Sequence, residues 1–402
     1  PRSKIMVLKA FKLRLYPNKT QRNQIHVNFG CARFVWNQML NMHIERYKNN
    51  KKAKFQGRYS MDVMLKALKI EYPWLKQAES TSLQRVNRDL DDAFQRFFNP
   101  DLQNGFPRFK SKKNTNQSYT SKFVNNNIRI VDEHHIKLPK LGLVYFKAGR
   151  ILNGKIRAVT VRVNSRKQYQ ASILVESENQ TFKKTKKSVG IDLGLKSLII
   201  TSDGQKEDIL KVDDGLNKQL RIWERKKSRR YENAKKAMAF DEHDKVLFPR
   251  TDLKQFPRYQ QAVRTVAKLK KHIAERRRDN LHKLTTRLVK DYDTIVVENL
   301  SVKNMMKNHH LSASIANASW GTLISQLKYK CAWYGKKLII IDPKNTSRIC
   351  HECKQKNHEF DSLSQSEWLA AREWDCSNCH AHLDRDVNAA KNILAKGLET
   401  LA

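Results

Sequence analysis

The sequence predicts an α/β multidomain protein: an N-terminal β-barrel carrying a helical insertion, then a strand-and-helix domain interrupted by a four-cysteine insertion. Three observations predict it. Short alternating apolar–polar runs fill residues 5–16 and 119–177, while the stretch between them has helical periodicity. From Ser188 onward, strand-like and helix-like segments take turns, and two CxxC pairs break in near the end. A chain of 402 residues holds two to four domains, at roughly 150 residues each.

IMVLKAFKLRLY (Ile5–Tyr16) alternates like a half-buried strand and stops at Pro17. From Asn18 to about Phe98 two apolar stripes recur at helical spacing. One runs through Phe29, Ala32, Val35, Trp36 and Leu40, the other through Leu83, Val86, Leu90, Phe94 and Phe97, and both read as the core of a bundle. The polar faces carry Gln84, Arg85, Asn87 and Arg88, which suit nucleic acid and equally an ordinary solvated surface. GFPRFKSKKNTNQSY (Gly105–Tyr119) interleaves basic and aromatic residues. Arg108 and Lys110 suit phosphate contact; Phe106 and Phe109 suit base stacking or anchoring of the loop.

The runs IRIV, IKLP, LVYFKAG, IRAVTVRV and YQASILVE then read as successive strands, closing a small barrel with the N-terminal one. This places the barrel in 1–17 and 111–180, the helical domain in 18–110 and a linker in 181–187. SVGIDLGLKSLIITSDGQ reads as strand, bend, strand and turn. Two long basic helices follow, about Leu216–Ala239 and Tyr259–Lys290, the second bearing Arg276, Arg277 and Arg278. IVVENL (Ile295–Leu300) is a buried strand, Trp320–Tyr334 a helix, and KLIIIDP a strand ended by Pro343. That order resembles an RNase H-like fold made of 188–345 and 383–402, with 346–382 inserted before its last helix.

Lys+Arg of 79 against Asp+Glu of 39 leaves a net charge of +40, spread along the chain rather than confined to a tail. So large a surplus repels itself unless a polyanion neutralises it, so nucleic acid is the expected partner. No apolar run of about 18 residues supports the membrane alternative. Four of the six cysteines sit in CxxC pairs, which suits a reducing compartment and a metal better than a disulfide scaffold.

Cys350–Cys353 and Cys376–Cys379 are separated by 22 residues, slightly beyond the usual ribbon-type zinc spacing. Two thiolates two residues apart face one tetrahedral ion through a tight knuckle, and two knuckles close the shell. His351, His380 and His382 lie nearby, but four cysteines already fill it. A closed shell leaves no place for water, so this zinc is read as structural.

Three acids stand at the ends of β-branched runs or at a helix start: Asp192 in GIDLG, Glu298 in IVVENL and Asp386 in DRDVNAAKNI, with Asp384 a possible fourth. Singly, each has a plain alternative: a turn cap for Asp192, a buried arginine partner for Glu298, a helix cap for Asp384 and Asp386. The DxDxN spacing also suggests a calcium loop. Ala389 and Ala395 stand where that loop needs Gly and Glu. Together, on a strongly cationic chain, the acids suit hard cations of the kind that cleave phosphodiesters, and point to a nuclease. Neither Gly154-Lys155 nor Gly335-Lys336 completes a phosphate loop.

GIDLG, IVVENL, the paired CxxC and DRDVNAAKNI, in that order, resemble the TnpB (OrfB) proteins of insertion sequences. KAFKLRLYPNKTQ, ARFVWNQ, PWLKQ, LQRVNRDLDDAFQRFF and GFPRFKSKK extend the likeness over nearly the whole chain. These are RNA-guided endonucleases of RuvC type, related to type V CRISPR effectors. The resemblance implies a wedge barrel, a helical recognition domain and a RuvC domain with catalytic Asp192, Glu298 and Asp386 holding Mg2+. It also implies a guide RNA from the transposon end, duplex target DNA next to a short motif near Ser80, Gln84 and Asn125, a monomer, and a cytoplasmic, nucleoid-associated location. Lys354 and His380 depart from the family, where glycine commonly follows each CxxC. An RNA-guided repressor without cleavage, or a DNA-binding transposition accessory, is the alternative reading.

Overall fold

The computed structural model describes residues 4–208 except 103, 115, 148, 150–152, 165, 166 and 196, then 214–236, 253, 255–300, 305, 318–343, 346–358, 367 and 372–400. The expected end of the first basic helix at 237–239 and part of the 346–382 insertion lie outside the described residues. The chain divides into two compact units, Met6–Glu178 and Asn179–Ala402 with Pro1–Ile5.

In the first unit, strand β1 (Lys4–Tyr16) ends at Pro17, and α1 (Lys19–Asn49) begins at once. Its start is set by a reciprocal cap: Gln21 N–H donates to Asn18 Oδ1 at 2.8 Å and Asn18 N–H to Gln21 Oε1 at 3.0 Å. Helices α2 (Arg58–Glu71) and α3 (Ser80–Phe98) follow. The remaining strands are β2 (Gln117–Lys122), β3 (Arg129–Ile130), β4 (His135–Leu138), β5 (Gly142–Lys147), β6 (Lys155–Val163) and β7 (Tyr169–Gln180). They form one sheet ordered β2-β6-β7-β1-β5-β4-β3, with the N-terminal strand in its middle. Leu13 and Leu15 of β1, Phe29 and Val35 of α1, Leu83 and Leu90 of α3, and Val161 and Ile173 of the sheet belong to one continuous core. Helices and strands here therefore share their apolar interior.

The second unit is built on a sheet of β8 (Ser188–Asp192), β9 (Ser197–Thr201), β10 (Lys206–Asp208), β11 (Thr294–Glu298) and β12 (Lys337–Ile341), in the order β10-β9-β8-β11-β12. β11 is parallel to both β8 and β12; β9 is antiparallel to β8, and β10 to β9. Parallel neighbours need long crossovers. Helices α4 (Asp214–Lys236) and α5 (Pro257–Asp291) lie in the crossover from β10 to β11, and α6 (Trp320–Tyr334) in that from β11 to β12. A small β13 (Glu373–Asp375) and β14 (His382–Asp384) pair precedes the last helix, α7 (Arg385–Glu399).

Strand alternation decides which helix meets which face. Val189, Ile191, Ile295 and Val297 turn to the core that includes Leu284 and Leu288 of α5 and Leu323 and Leu327 of α6. Gly190 and Val296 turn to α7, whose Ile393 packs with Val296 and Ile341. The contact is close: a Cβ on Gly190 would lie 2.1 Å from the Ala390 carbonyl oxygen, and one on Gly397 2.3 Å from Val296 Cγ1. The segment expected as a linker is fastened down. The Thr185 and Lys186 N–H groups donate to Asp293, Lys336 ion-pairs with the same carboxylate, and Phe182 stacks on Tyr334 at 3.9 Å.

Candidate active site and metal centre

The four expected zinc ligands converge. Cys350 Sγ and Cys379 Sγ are 3.7 Å apart, Cys353 Sγ and Cys376 Sγ 3.6 Å, and all four sulfurs lie within 4.8 Å of one another. A zinc tetrahedron with 2.3 Å Zn–S bonds has edges of about 3.8 Å, so this sulfur set fits the ion. The two knuckles share one hydrogen-bond pattern. Lys354 N–H donates to Cys350 O and His380 N–H to Cys376 O, both at 2.9 Å. Cys350 N–H donates to Gln355 O and Cys376 N–H to Ala381 O, both at 3.0 Å. Lys354 (φ 63°) and His380 (φ 58°) both adopt the left-handed conformation that favours glycine. Each turn thus takes the conformation a glycine would favour, at the two positions where the resemblance implies glycine.

The three acids come from three elements. Asp192 ends β8 and Glu298 ends β11. The register pairs Ile191 with Val297, so the two acids emerge side by side from parallel strands at one sheet edge. Asp386 lies in the first turn of α7, the helix that crosses β8 at Gly190. Burial, then the negative charges of Glu298 and Asp386, push the Asp192 carboxyl up to about 7, while the Arg385 guanidinium and Leu193 N–H pull the other way. Glu298, 6% exposed, is also raised by burial; Thr346 and Lys396 oppose the shift and Asp342 adds to it. Glu298 is buried and Asp192 and Asp386 are half-buried, and the charges of Glu298 and Asp386 both reach Asp192. Arg385 Nη2 lies 3.0 Å and Arg372 Nη1 3.1 Å from Asp386. By its chemistry an all-oxygen donor set suits magnesium rather than a soft metal; among the described residues only the four cysteines have their ligand atoms all within 4.8 Å of one another.

Asp384 takes the plainer of its two roles. Its Oδ1 accepts from Asp386 and Val387 N–H at 3.0 Å, capping α7, and its Oδ2 pairs with Lys206 at 2.6 Å.

Of the residues read as nucleic-acid contacts, Ser80, at the start of α3, and Gln84, one turn on, are exposed. Asn125 lies in the turn after β2 with φ 47°. Lys122 N–H, at the end of β2, donates to Thr81 Oγ1 in the first turn of α3 at 2.9 Å. Arg108 gives its carbonyl to Trp36 Nε1 at 2.9 Å, and the Lys110 ammonium sits 3.7 Å above the Trp36 ring. Trp36, read as core filler, thereby holds the basic loop on α1. Arg276 and Arg278 are exposed on α5, and Arg277 is half-buried.

Sequence reasoning missed Thr346, whose hydroxyl donates to Glu298 Oε1 at 2.5 Å, and the Arg372 and Arg385 counter-cations. Arg385 had a signal, because it lies between two acids. A threonine outside any motif had none.

Three family models match: one described as a helix-turn-helix domain over residues 6–52, one as a probable transposase over 172–309, and one as a Cas12f1-like TNB domain over 320–393. In the structure, 6–52 is a strand followed by one long helix. Over 406 residues the chain is 33% identical to the "Putative RNA-guided DNA endonuclease" of Streptomyces pristinaespiralis, covering 98% of this chain and 91% of that one. Over 412 residues it is 31% identical to the "Putative RNA-guided DNA endonuclease InsQ" of Escherichia coli K12, covering 98% and 94%. The chain belongs to the TnpB (OrfB) family. In its fold this TnpB-family chain is similar to the Cas12f1 chain of a cryo-EM complex with sgRNA and target DNA, with a TM-score of 0.53 at 13% identity over 96% of this chain and 98% of that one. Among the described residues, no helix of this TnpB relative is long and apolar enough to cross a membrane.

Proposed function

We propose that this chain is an RNA-guided DNA endonuclease that cuts target DNA beside a short adjacent motif by hydrolysing phosphodiesters at one RuvC-type site. The observation that carries the reading is that Asp192 and Glu298 end neighbouring parallel strands and that the charges of Glu298 and Asp386 both act on Asp192. Strand order β10-β9-β8-β11-β12 with a helix crossing β8 supports an RNase H-like core formed by 188–345 and 383–402. The first unit serves as wedge barrel (1–17, 111–180) and recognition helices (18–110), and 346–382 as the zinc-bearing insertion.

Asp192, Glu298 and Asp386 would hold magnesium, and when bound the ion supplies Lewis acidity toward the attacked phosphate and its leaving oxygen. The chain does the rest. Parallel strands fix the spacing of Asp192 and Glu298, and the α7 terminus delivers Asp386. Arg372 and Arg385 pair with that carboxylate. A net charge of +40 draws in the guide RNA and the DNA, and base pairing to the guide selects the target.

Incubating the protein–RNA complex with matched plasmid and magnesium tests this. Wild type linearises the plasmid, and Asp192→Ala binds it but cuts roughly 10³-fold more slowly. Binding without cutting by wild type would favour a guided repressor; purification without a salt-resistant RNA would favour the accessory role.

A further inference from the structure

α7 carries a polar ladder at Asn388, Asn392 and Lys396, each one helical turn from the next. All three reach carbonyls of the segment that runs from the end of β12 to the first cysteine knuckle. Asn388 Nδ2 donates to Ile349 O at 2.8 Å, and Asn392 Nδ2 to Thr346 O at 2.9 Å and to Ile349 O at 2.6 Å. Lys396 Nζ donates to Asp342 O at 2.8 Å. Asn388 Oδ1 also accepts from His351 N–H at 2.8 Å, inside the knuckle. In that segment Thr346, 8% exposed, donates its hydroxyl to Glu298 Oε1.

We propose that Thr346 is a positioning residue for Glu298 and couples the four-cysteine centre to the acid site. A carboxylate held at one oxygen by a fixed donor presents the other in one orientation, and such a donor keeps the ligand aligned. Thr346 cannot drift, because its own carbonyl is clasped by Asn392 and the residues after it are clasped by Asn388. The hydroxyl is therefore anchored to the knuckle on one side and to α7, the helix that bears Asp386, on the other. This inference rests on the nuclease reading.

Three forms of the RNA complex are compared, each first checked for full zinc content: wild type, Thr346→Val, which keeps the shape and loses the hydroxyl, and Thr346→Ser, which keeps the hydroxyl. Mn2+ binding is titrated by electron paramagnetic resonance, and the Mg2+ concentration for half-maximal cleavage is measured alongside. Thr346→Val should weaken Mn2+ binding by about 10- to 100-fold and raise the Mg2+ requirement in parallel, with Thr346→Ser staying within about threefold of wild type. If Thr346→Val fails the zinc check, Thr346→Ala replaces it. Equal Mn2+ affinity in the hydroxyl-less variant, or a serine variant as weak as valine, overturns the proposal. A wild-type complex that neither binds Mn2+ nor cuts at any metal concentration overturns the nuclease reading instead.

Discussion

The cysteine centre and the acid edge both gather charge for a cation, by opposite means. The cysteines occur as two close pairs, each folded into the same local turn, and their sulfurs already stand at tetrahedral separations. The acids come from a first strand, a fourth strand and a final helix, and meet only once the sheet and α7 are in place. Soft ligands close a shell around one ion, whereas hard ligands from separate elements leave room for a substrate beside the metal. A closed centre can thus be written in local spacing, but an open one is a property of the tertiary structure.

The largest test of that contrast is the removal of each cation. Cys376→Ser should lose zinc and destabilise the β13–β14 hairpin around it and α7 by several kcal/mol, seen as an early melting step and loss of cleavage. Magnesium chelation should leave the fold melting within a few degrees and abolish cleavage reversibly. If Cys376→Ser keeps both its activity and its melting temperature, the two centres are independent.

Next comes pH. Without a bound cation the folded protein keeps the Asp192 proton up to about pH 7, while the unfolded chain releases it near pH ~4. Across that window the native state binds more protons, so this group's contribution to stability falls as pH rises. A divalent cation must displace the same proton. Its affinity should therefore rise about tenfold per pH unit below 7 and level off above, as Mn2+ titrations at several pH values would read. A flat profile would mean that the cation displaces no proton from Asp192.

Smaller still is the basic helix. Changing Arg276, Arg277 and Arg278 to Gln should flatten the log–log salt dependence of nucleic-acid binding by up to about three units, with both metal centres intact. Smallest are the knuckle turns. Lys354→Gly and His380→Gly should each stabilise the zinc-bound protein by about 0.5–1 kcal/mol, since relief of left-handed strain outweighs the extra freedom of glycine in the unfolded chain. Thermal unfolding with zinc present would measure it.

Much of this was legible beforehand, for physical reasons. CxxC pairs, β-branched runs ending in an acid and a strand stopped by Pro17 carry local rules, so Cys350, Glu298 and the end of β1 could be read directly. Residues 181–187 read as a linker because their polar side chains gave no sign that Asp293 and Lys336, far along the chain, would clasp them. Trp36 was read as bundle core and belongs to it; that its indole N–H and ring also hold Arg108 and Lys110 had no local sign. Thr346 and Asn392 were silent, because a buried hydrogen bond between distant segments leaves no period or spacing. The pull of Arg372 on Asp386 was hidden for the same reason.

Gly190 and Gly397 bring a further consequence. At both places α7 rests directly on the sheet with only hydrogen between them, so the gap across which Asp386 faces Asp192 is gauged by two side chains that do not exist. Adding a single methyl at either position would act as a shim, lifting the helix and widening that gap. The enzyme could then be disarmed with every acid and every cysteine still in its place.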